Sequence, residues 1–282
     1  MKGPRSQPAD GRRLPRVLLV DVGNTRIKWA MWSQGRLSQQ RAEPHAGWRQ
    51  ADFARRLFSA KSAPARIIVA SVAGSRIERA LVRAASRALH VKPELLRTTR
   101  QAGGVTTRYV DPWRLGVDRF MAAIGAHWLA GARPACVVNV GTAVTIDLID
   151  GRGVHRGGVI VPGPELMVRS LLSSTAGIER RAWEPRTAAR DARASRSASR
   201  PQRISLFARN TRSAIEQGAA YAVAAVIDRA VSEAAWVLHG RPLVLLSGGA
   251  AVRVEPLVRS RHVTVRDLVL RGIAIHAGLP LQ

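Results

Sequence analysis

The stretch Arg16-Val17-Leu18-Leu19-Val20-Asp21-Val22-Gly23-Asn24-Thr25 decides the fold. A Leu- and Val-rich run that ends on a carboxylate and a Gly-Asn turn reads as a strand, with residues 27–32 as the returning strand of a hairpin. Shifted by 118 residues, Asp21-Val22-Gly23-Asn24-Thr25 falls on Asn139-Val140-Gly141-Thr142-Ala143, and Gly35 falls on Gly153. Both copies contain an apolar strand, a Gly turn, a second strand and a further turn. Agreement of these features at one offset points to an internal duplication rather than two unrelated hairpins.

Outward from the first copy, Gly35 opens a short third strand. Residues 48–58 space Trp48, Phe53 and Leu57 as a helix does, residues 66–72 read as a strand buried on both faces, and 75–90 as a basic amphipathic helix. The second half repeats the order. It has a helix at 115–129, strands at 136–140, 144–149 and 157–161, and helices at 164–172 and 205–238, the latter broken near Gly218. A strand at 243–246 closed by Ser247-Gly248-Gly249, a short strand at 262–265 and a helix at 267–277 follow. The expectation is an α/β protein of two lobes, each β-β-β-α-β-α. They span 16–114 and 115–282, after a short leader at 1–15. Residues 183–203, dense in Arg, Ala and Ser, read as a solvated insertion in the second lobe.

A formal net charge of +26 ordinarily suggests nucleic acid as a partner. Two features argue otherwise. The lysines are only Lys2, Lys28, Lys61 and Lys92, so the charge is almost all arginine, which coding bias produces without a binding role. No C2H2 spacing or RNP-like aromatic pattern is present. Nucleic acid is therefore not the expected partner, whereas a phosphorylated substrate benefits from the positive field. No apolar run reaches the roughly 18–20 residues of a spanning helix. The polar N-terminus with Pro4, Pro8 and Pro15 lacks the apolar core of a signal peptide, so a cytoplasmic location is expected. Cys136 is the only cysteine, which rules out an internal disulfide.

Several chemistries are absent. No lysine follows a glycine as a Walker A loop requires, and Gly151, Gly153 and Gly157 miss the dinucleotide spacing. The histidines form no pair at metal-ligand spacing, and Ser247 does not sit in a nucleophile elbow. What remains is a pair of Gly turns. Asp21 supplies oxygen ligands for magnesium, directly or through water, while Gly23 lets backbone approach a phosphate and Asn24, Thr25 and Lys28 offer donors. Gly141-Thr142-Ala143 is the matching turn, and Gly248-Gly249 is a third close approach, placed under an adenosine. Phosphoryl transfer also needs a group that deprotonates or orients the acceptor hydroxyl. Asp118 in Gly116-Val117-Asp118-Arg119 is the candidate, and the planar fork of Arg119 suits an acceptor carboxylate. On the residues alone, a helix cap and a surface arginine remain an open alternative.

The motifs Asp21-Val22-Gly23-Asn24-Thr25, Tyr109 through Asp118-Arg119, Gly141-Thr142-Ala143-Val144-Thr145-Ile146-Asp147, Gly157-Gly158-Val159-Ile160-Val161-Pro162-Gly163 and Ser247-Gly248-Gly249 occur in the order found in type III pantothenate kinases. The resemblance covers residues 18–277. It implies an actin-like acetate and sugar kinase fold with two ribonuclease H-like lobes and an interlobe cleft. It also implies a homodimer and transfer of the ATP γ-phosphate to pantothenate, the first step of coenzyme A synthesis. By resemblance, Asp21, Val22, Gly23, Asn24, Thr25, Arg26, Ile27 and Lys28 form the ATP phosphate loop and Thr142 is a second ATP contact. Asp118 is the catalytic base. Tyr109, Gly116, Val117, Asp118 and Arg119 contact pantothenate, and Thr211 does so across the dimer interface.

Departures accompany the likeness. Asn139 stands where the family has an Asp that binds potassium or ammonium, so the monovalent cation loses a charged ligand. Val117 replaces a small residue and Asp111 an Asn, and the Leu-Pro after Ser174-Thr175-Ala176 is missing. Two other readings fit the same fold. One is a non-catalytic regulator that binds nucleic acid through its arginines, and the other is a kinase for a different small hydroxylated acceptor.

Overall fold

The computed structural model describes residues 15–58, 63–175 and 205–282. The expected leader, apart from Pro15, and the Arg-rich segment 183–203 lie outside the described residues.

The chain divides into two compact units, one running to Arg97 and taking back Ile273–Gln282, the other Thr98–Gly272. The first holds β1 (Val17–Val22), β2 (Arg26–Ser33), β3 (Arg36–Leu37), β4 (Arg41–Pro44), α1 (Gln50–Leu57), β5 (Arg66–Ser71), α2 (Ser75–Leu89) and β6 (Glu94–Leu95). Its sheet runs β3-β2-β1-β5-β6, with β4 also on β2; β1 is antiparallel to β2 and parallel to β5. All six residues of β1 are buried, as their composition requires of a central strand. Leu18, Val20 and Val22 form a cluster with Phe53 and Leu57 of α1 and Ile77 and Leu81 of α2. Trp48 meets Phe53 edge to face at 5.1 Å between ring centres.

The second unit holds β7 (Gln101–Ala102), β8 (Val105–Thr107), α3 (Val117–Ala130), β9 (Ala135–Val140), β10 (Ala143–Ile149), β11 (Val154–Pro162), α4 (Pro164–Ser174), α5 (Thr211–Val237), β12 (Leu243–Ser247) and β13 (Val263–Thr264). The last helix, α6 (Leu268–His276), begins here and ends in the first unit. The sheet order is β13-β12-β9-β10-β11-β8-β7. Cys136, Val138, Val140, Val144 and Ile146 pack with Val223, Ala224 and Ile227 of α5.

In the first unit β1, β2 and β3 are antiparallel in turn and β5 and β6 run parallel to β1; in the second β9, β10 and β11 are antiparallel in turn and β12 and β13 run parallel to β9. This is the ribonuclease H-like order, and it bears out the duplication. β1 and β9 correspond residue for residue at the offset of 118. Val22 pairs with Ile27 across the first turn and Val140 with Val144 across the second, so the second turn is one residue shorter. Gly35 and Gly153 each precede the third strand with left-handed φ, +81° and +79°.

Three expectations need correction. The boundary drawn between 114 and 115 falls earlier, after Arg97, because the β7–β8 hairpin extends the second sheet beside β11. The C-terminal tail does not end in the second lobe. Trp32 Nε1–H donates to the Pro280 carbonyl at 2.9 Å and the Gln282 amide to the Gly35 carbonyl at 3.0 Å, which tie it to the first unit. Helix α5 starts at Thr211 and runs unbroken through Gly218 to Val237. A glycine there costs about 1 kcal/mol relative to alanine, too little to break a helix anchored by Val223 and Ile227.

Candidate active site

The first unit carries the candidate phosphate loop. Register places Asp21 opposite Lys28 on the β1–β2 ladder, and Lys28 Nζ lies 3.3 Å from the Asp21 carboxylate, which is almost fully buried. Asn24, Thr25 and Arg26 are exposed at the turn. The Gly23 amide donates to the Arg26 carbonyl at 3.0 Å and closes it, while Val22 and Ile27 anchor its base in the core. A residue that sequence reasoning passed over completes the loop. His45, 4% exposed, donates from Nε2 to the Gly23 carbonyl at 2.7 Å, and its own amide donates to the Thr25 carbonyl at 3.2 Å. A carbonyl held back in this way leaves the amide side of the turn for an anion.

The second unit carries the matching turn, and its surroundings differ. The Gly141 amide donates to the Ala143 carbonyl at 3.0 Å. Backbone packs against it from two sides. The Gly163 amide donates to the Thr142 carbonyl at 2.8 Å, and a Cβ on Gly163 would lie 2.8 Å from that oxygen. Gly248, at φ +102°, sits where a Cβ would lie 2.5 Å from the Val140 amide nitrogen. Gly163 and Gly248 thus pack backbone against the Val140–Thr142 turn.

Asn139 lies on β9 between Thr145 of β10 and Ser247 of β12. Its Oδ1 is buried and has no hydrogen-bond partner among the described residues. A buried orphan carbonyl oxygen suits a cation ligand, so the residue fits a monovalent ion even without the charge of Asp. Among the described residues no cluster of three His, Cys, Asp or Glu side chains forms a metal site of its own.

Asp118 stands in the first turn of α3, after the Gly116 cap. Its Oδ1 accepts from the Arg119 amide at 2.9 Å, and a Cβ on Gly116 would lie 2.6 Å from that oxygen. The carboxylate thus lies over Gly116, and a side chain there would displace it. Gly116 holds the N-cap position itself, and Asp118 satisfies a first-turn amide of α3, so the capping role stands beside the catalytic one. Val117 is 7% exposed and turns into the core.

Arg119 is not a surface residue. It is 6% exposed, and its Nε and Nη2 donate to the two oxygens of Asp147 at 3.0 and 2.6 Å. Its Nη1 donates to the Tyr109 hydroxyl at 3.0 Å. His155, fully buried, donates from Nε2 to Asp147 Oδ1 at 2.7 Å. Burial works against the charge of Arg119, but Asp147 more than offsets it, raising the guanidinium pKa above its ordinary value. The structure thus brings together Tyr109, Arg119, Asp147 and His155. The first two were expected. In the sequence Asp147 stands out only as part of a motif, and His155 only as one of the histidines that form no metal-ligand pair. The hairpin register offered a signal, since β10 paired with β11 sets Asp147 opposite Gly158, where a side chain is missing. Thr211 opens α5 directly after its Asn210 cap, whose side chain accepts from the Ser213 amide at 2.8 Å. The following Arg212 lines a groove of about 560 Å³ with Pro164, Glu165, Arg169, Gln217 and Arg253.

Two ribonuclease H-like units, each with a Gly turn at the end of its first strand, define the actin-like class that includes sugar kinases. Solved structures agree with that fold. Ethanolamine utilization protein EutJ from Carboxydothermus hydrogenoformans is 12% identical, with a TM-score of 0.51 over 95% of this chain and 92% of its own. Component A of the (R)-2-hydroxyglutaryl-CoA dehydratase of Acidaminococcus fermentans is 13% identical, with a TM-score of 0.50 over 93% and 96%. The sequence narrows the class. The family model of type III pantothenate kinases matches residues 17–233. The type III pantothenate kinase of Herminiimonas arsenicoxydans is 38% identical over 92% of this chain and 98% of its own, and that of Nitrosococcus oceani 31% over 92% of each. The chain belongs to the type III pantothenate kinase family.

Proposed function

We propose that this chain transfers the γ-phosphoryl group of ATP to the primary hydroxyl of pantothenate, giving 4'-phosphopantothenate in the first step of coenzyme A synthesis. The family match carries the activity. The observation that supports its details is the placement of Asp118, Arg119 and Tyr109 around the start of α3. In this reading Asp118 accepts the hydroxyl proton as the phosphoryl group moves in line, and Arg119 with Tyr109 holds the pantothenate carboxylate. Gly116 and Val117 supply backbone beside it. Residues 21–28 and Thr142 bind the ATP phosphates. Most of the rate enhancement comes from positioning and charge stabilisation, as for phosphoryl transfer in general.

Magnesium, when bound with ATP, neutralises charge developing on the phosphates. Asp21 would hold it through water, since its carboxylate is already paired with Lys28. Asn139 Oδ1 would serve a potassium or ammonium ion.

A homodimer is part of the proposal. Val159, Ile160, Trp236 and Val237 are exposed hydrophobics, and Val159 and Val237 border an apolar groove of about 590 Å³ between β11 and α5. Such a face suits a second copy, which would bring Thr211 to its neighbour's substrate. No described helix is long and apolar enough to cross a membrane. The test is ATP turnover by the purified protein with pantothenate and magnesium, with and without potassium. Pantothenate-dependent turnover is expected. Bound ATP without turnover under either condition would contradict the reading.

A further inference from the structure

We propose that Asp147 and His155 are positioning residues that set Arg119 and Tyr109 for the acceptor's carboxylate. The inference rests on the reading of Arg119 and Tyr109 as pantothenate contacts. Asp147 and His155 are 2% and 0% exposed, so neither serves solvent. Asp147 accepts from Arg119 through both Nε and Nη2 and from His155 Nε2. A guanidinium held at two nitrogens cannot rotate away, and a carboxylate held by a third donor cannot follow it.

His155 has little other reason to be histidine. Its Nδ1 is buried with no hydrogen-bond partner among the described residues, and its ring lies 5.7 Å from that of Tyr109. An aromatic residue without nitrogen would fill that space and bury no orphan acceptor. The bond from Nε2 to Asp147 is what histidine adds. Gly158 marks the same design from the neighbouring strand. A Cβ there would lie 2.5 Å from Asp147 Oδ1 and 2.8 Å from Arg119 Nη2, so β11 leaves room for the ion pair.

The result is a fixed array of donors. A guanidinium has five N–H bonds, and three of those of Arg119 are in use, leaving one on each terminal nitrogen. The Tyr109 oxygen accepts from Arg119, so its own proton is available to donate outward. Donors held this way select an acid over a neutral analogue and lose little entropy on binding.

The experiment titrates pantothenate and pantothenol, the same molecule with the carboxylate reduced to an alcohol, into wild type, His155→Phe, His155→Gln and Arg119→Met. His155→Phe keeps the ring and removes the donor. It should weaken pantothenate about tenfold, as expected for a lost hydrogen bond to a charged group, and pantothenol by less than about twofold. His155→Gln returns an N–H and should recover much of the loss. Equal weakening of both ligands, or a Gln variant no better than a folded Phe variant, would overturn the proposal. If His155→Phe does not fold, Asp147→Asn takes its place, and an unchanged acid-to-alcohol preference overturns it. Arg119→Met separates the two layers. Acid preference intact in that variant refutes the underlying role of Arg119. Preference lost there but intact in the His155 variants refutes positioning alone.

Discussion

The β1–β2 and β9–β10 hairpins are copies of one structure put to different use. Both end a buried strand on a Gly turn, and a later strand, β5 or β12, runs parallel beside the first strand of the hairpin. In the first unit the turn stands open, with Asn24, Thr25 and Arg26 exposed, an Asp21–Lys28 ion pair beneath and His45 holding its backbone. In the second the turn is enclosed by the backbone of Gly163 and Gly248, and Asn139 replaces the carboxylate. A charged open turn suits a mobile polyphosphate, whereas an enclosed turn is a rigid template. The duplication conserved the scaffold and left the side chains that surround it free to diverge.

Stability should separate the two turns most strongly. Gly248→Ala forces a Cβ onto the Val140 backbone at a φ that suits glycine, and should cost about 3 kcal/mol, the upper range for overpacking. Gly23→Ala meets only the Arg26 carbonyl, at 3.2 Å, and should cost less than about 1 kcal/mol. Denaturant titration of both variants checks this, and equal losses would break the comparison.

Function should separate them in the other direction. His45→Phe removes the donor to the Gly23 carbonyl and should raise the KM for ATP about three- to tenfold, the value of one hydrogen bond, with the KM for pantothenate unchanged. A change in the pantothenate KM of similar size would show that His45 is a fold residue and does not tune the loop.

The smallest contrast lies at the second turn of each hairpin. The first unit uses Gln34 and Gly35 at positive φ, whereas the second uses Asp150, which accepts from the Arg152 and Val154 amides and from Arg156. Burial alone would raise the Asp150 pKa, but the Val154 amide and Arg156 prevail and hold it below the usual carboxylate value. The folded state thus favours the ionised form. That stability is present above the ordinary carboxylate range and is lost as pH falls through the depressed value. Asp150→Asn should therefore flatten the acid limb of a thermal-stability profile. Gln34→Ala should leave that limb unchanged.

Much of the scaffold was readable in advance because strand burial and Gly turns are local. The expected strands at 16–22 and 136–140, with the echo of 21–25 in 139–143, match β1 and β9 and the offset between the copies. Strand β4, Arg-Ala-Glu-Pro, was missed because an edge strand paired on one side needs no apolar run. The unit boundary was missed because the β7–β8 hairpin belongs to the second unit through pairing with β11, which no local pattern reveals. The site was legible in part for the same reason. Asp21 stands at a strand end before a Gly turn, Thr142 sits on the matching turn and Asp118 stands in the first turn of a helix, all positions that local sequence marks. The meanings of Asp147, His155 and His45 depend on partners 28, 8 and 22 residues away in sequence.

Burial also explains a side chain with no part in the chemistry. Cys136, 1% exposed, has its thiol pushed up to about 12 by burial first and then by the charge of Asp147. A thiol held protonated is a poor nucleophile, so the native protein should resist alkylation at neutral pH, and rapid labelling would mean that β9 opens.

The most direct measurement of the central claim is the kcat of Asp118→Asn beside wild type with pantothenate and ATP. The account predicts a loss of about 10²–10⁴-fold, the range for a general base, with ATP still bound through the first unit's loop. Turnover near the wild-type value would contradict it, because the carboxylate over Gly116 would then play no part in moving the proton.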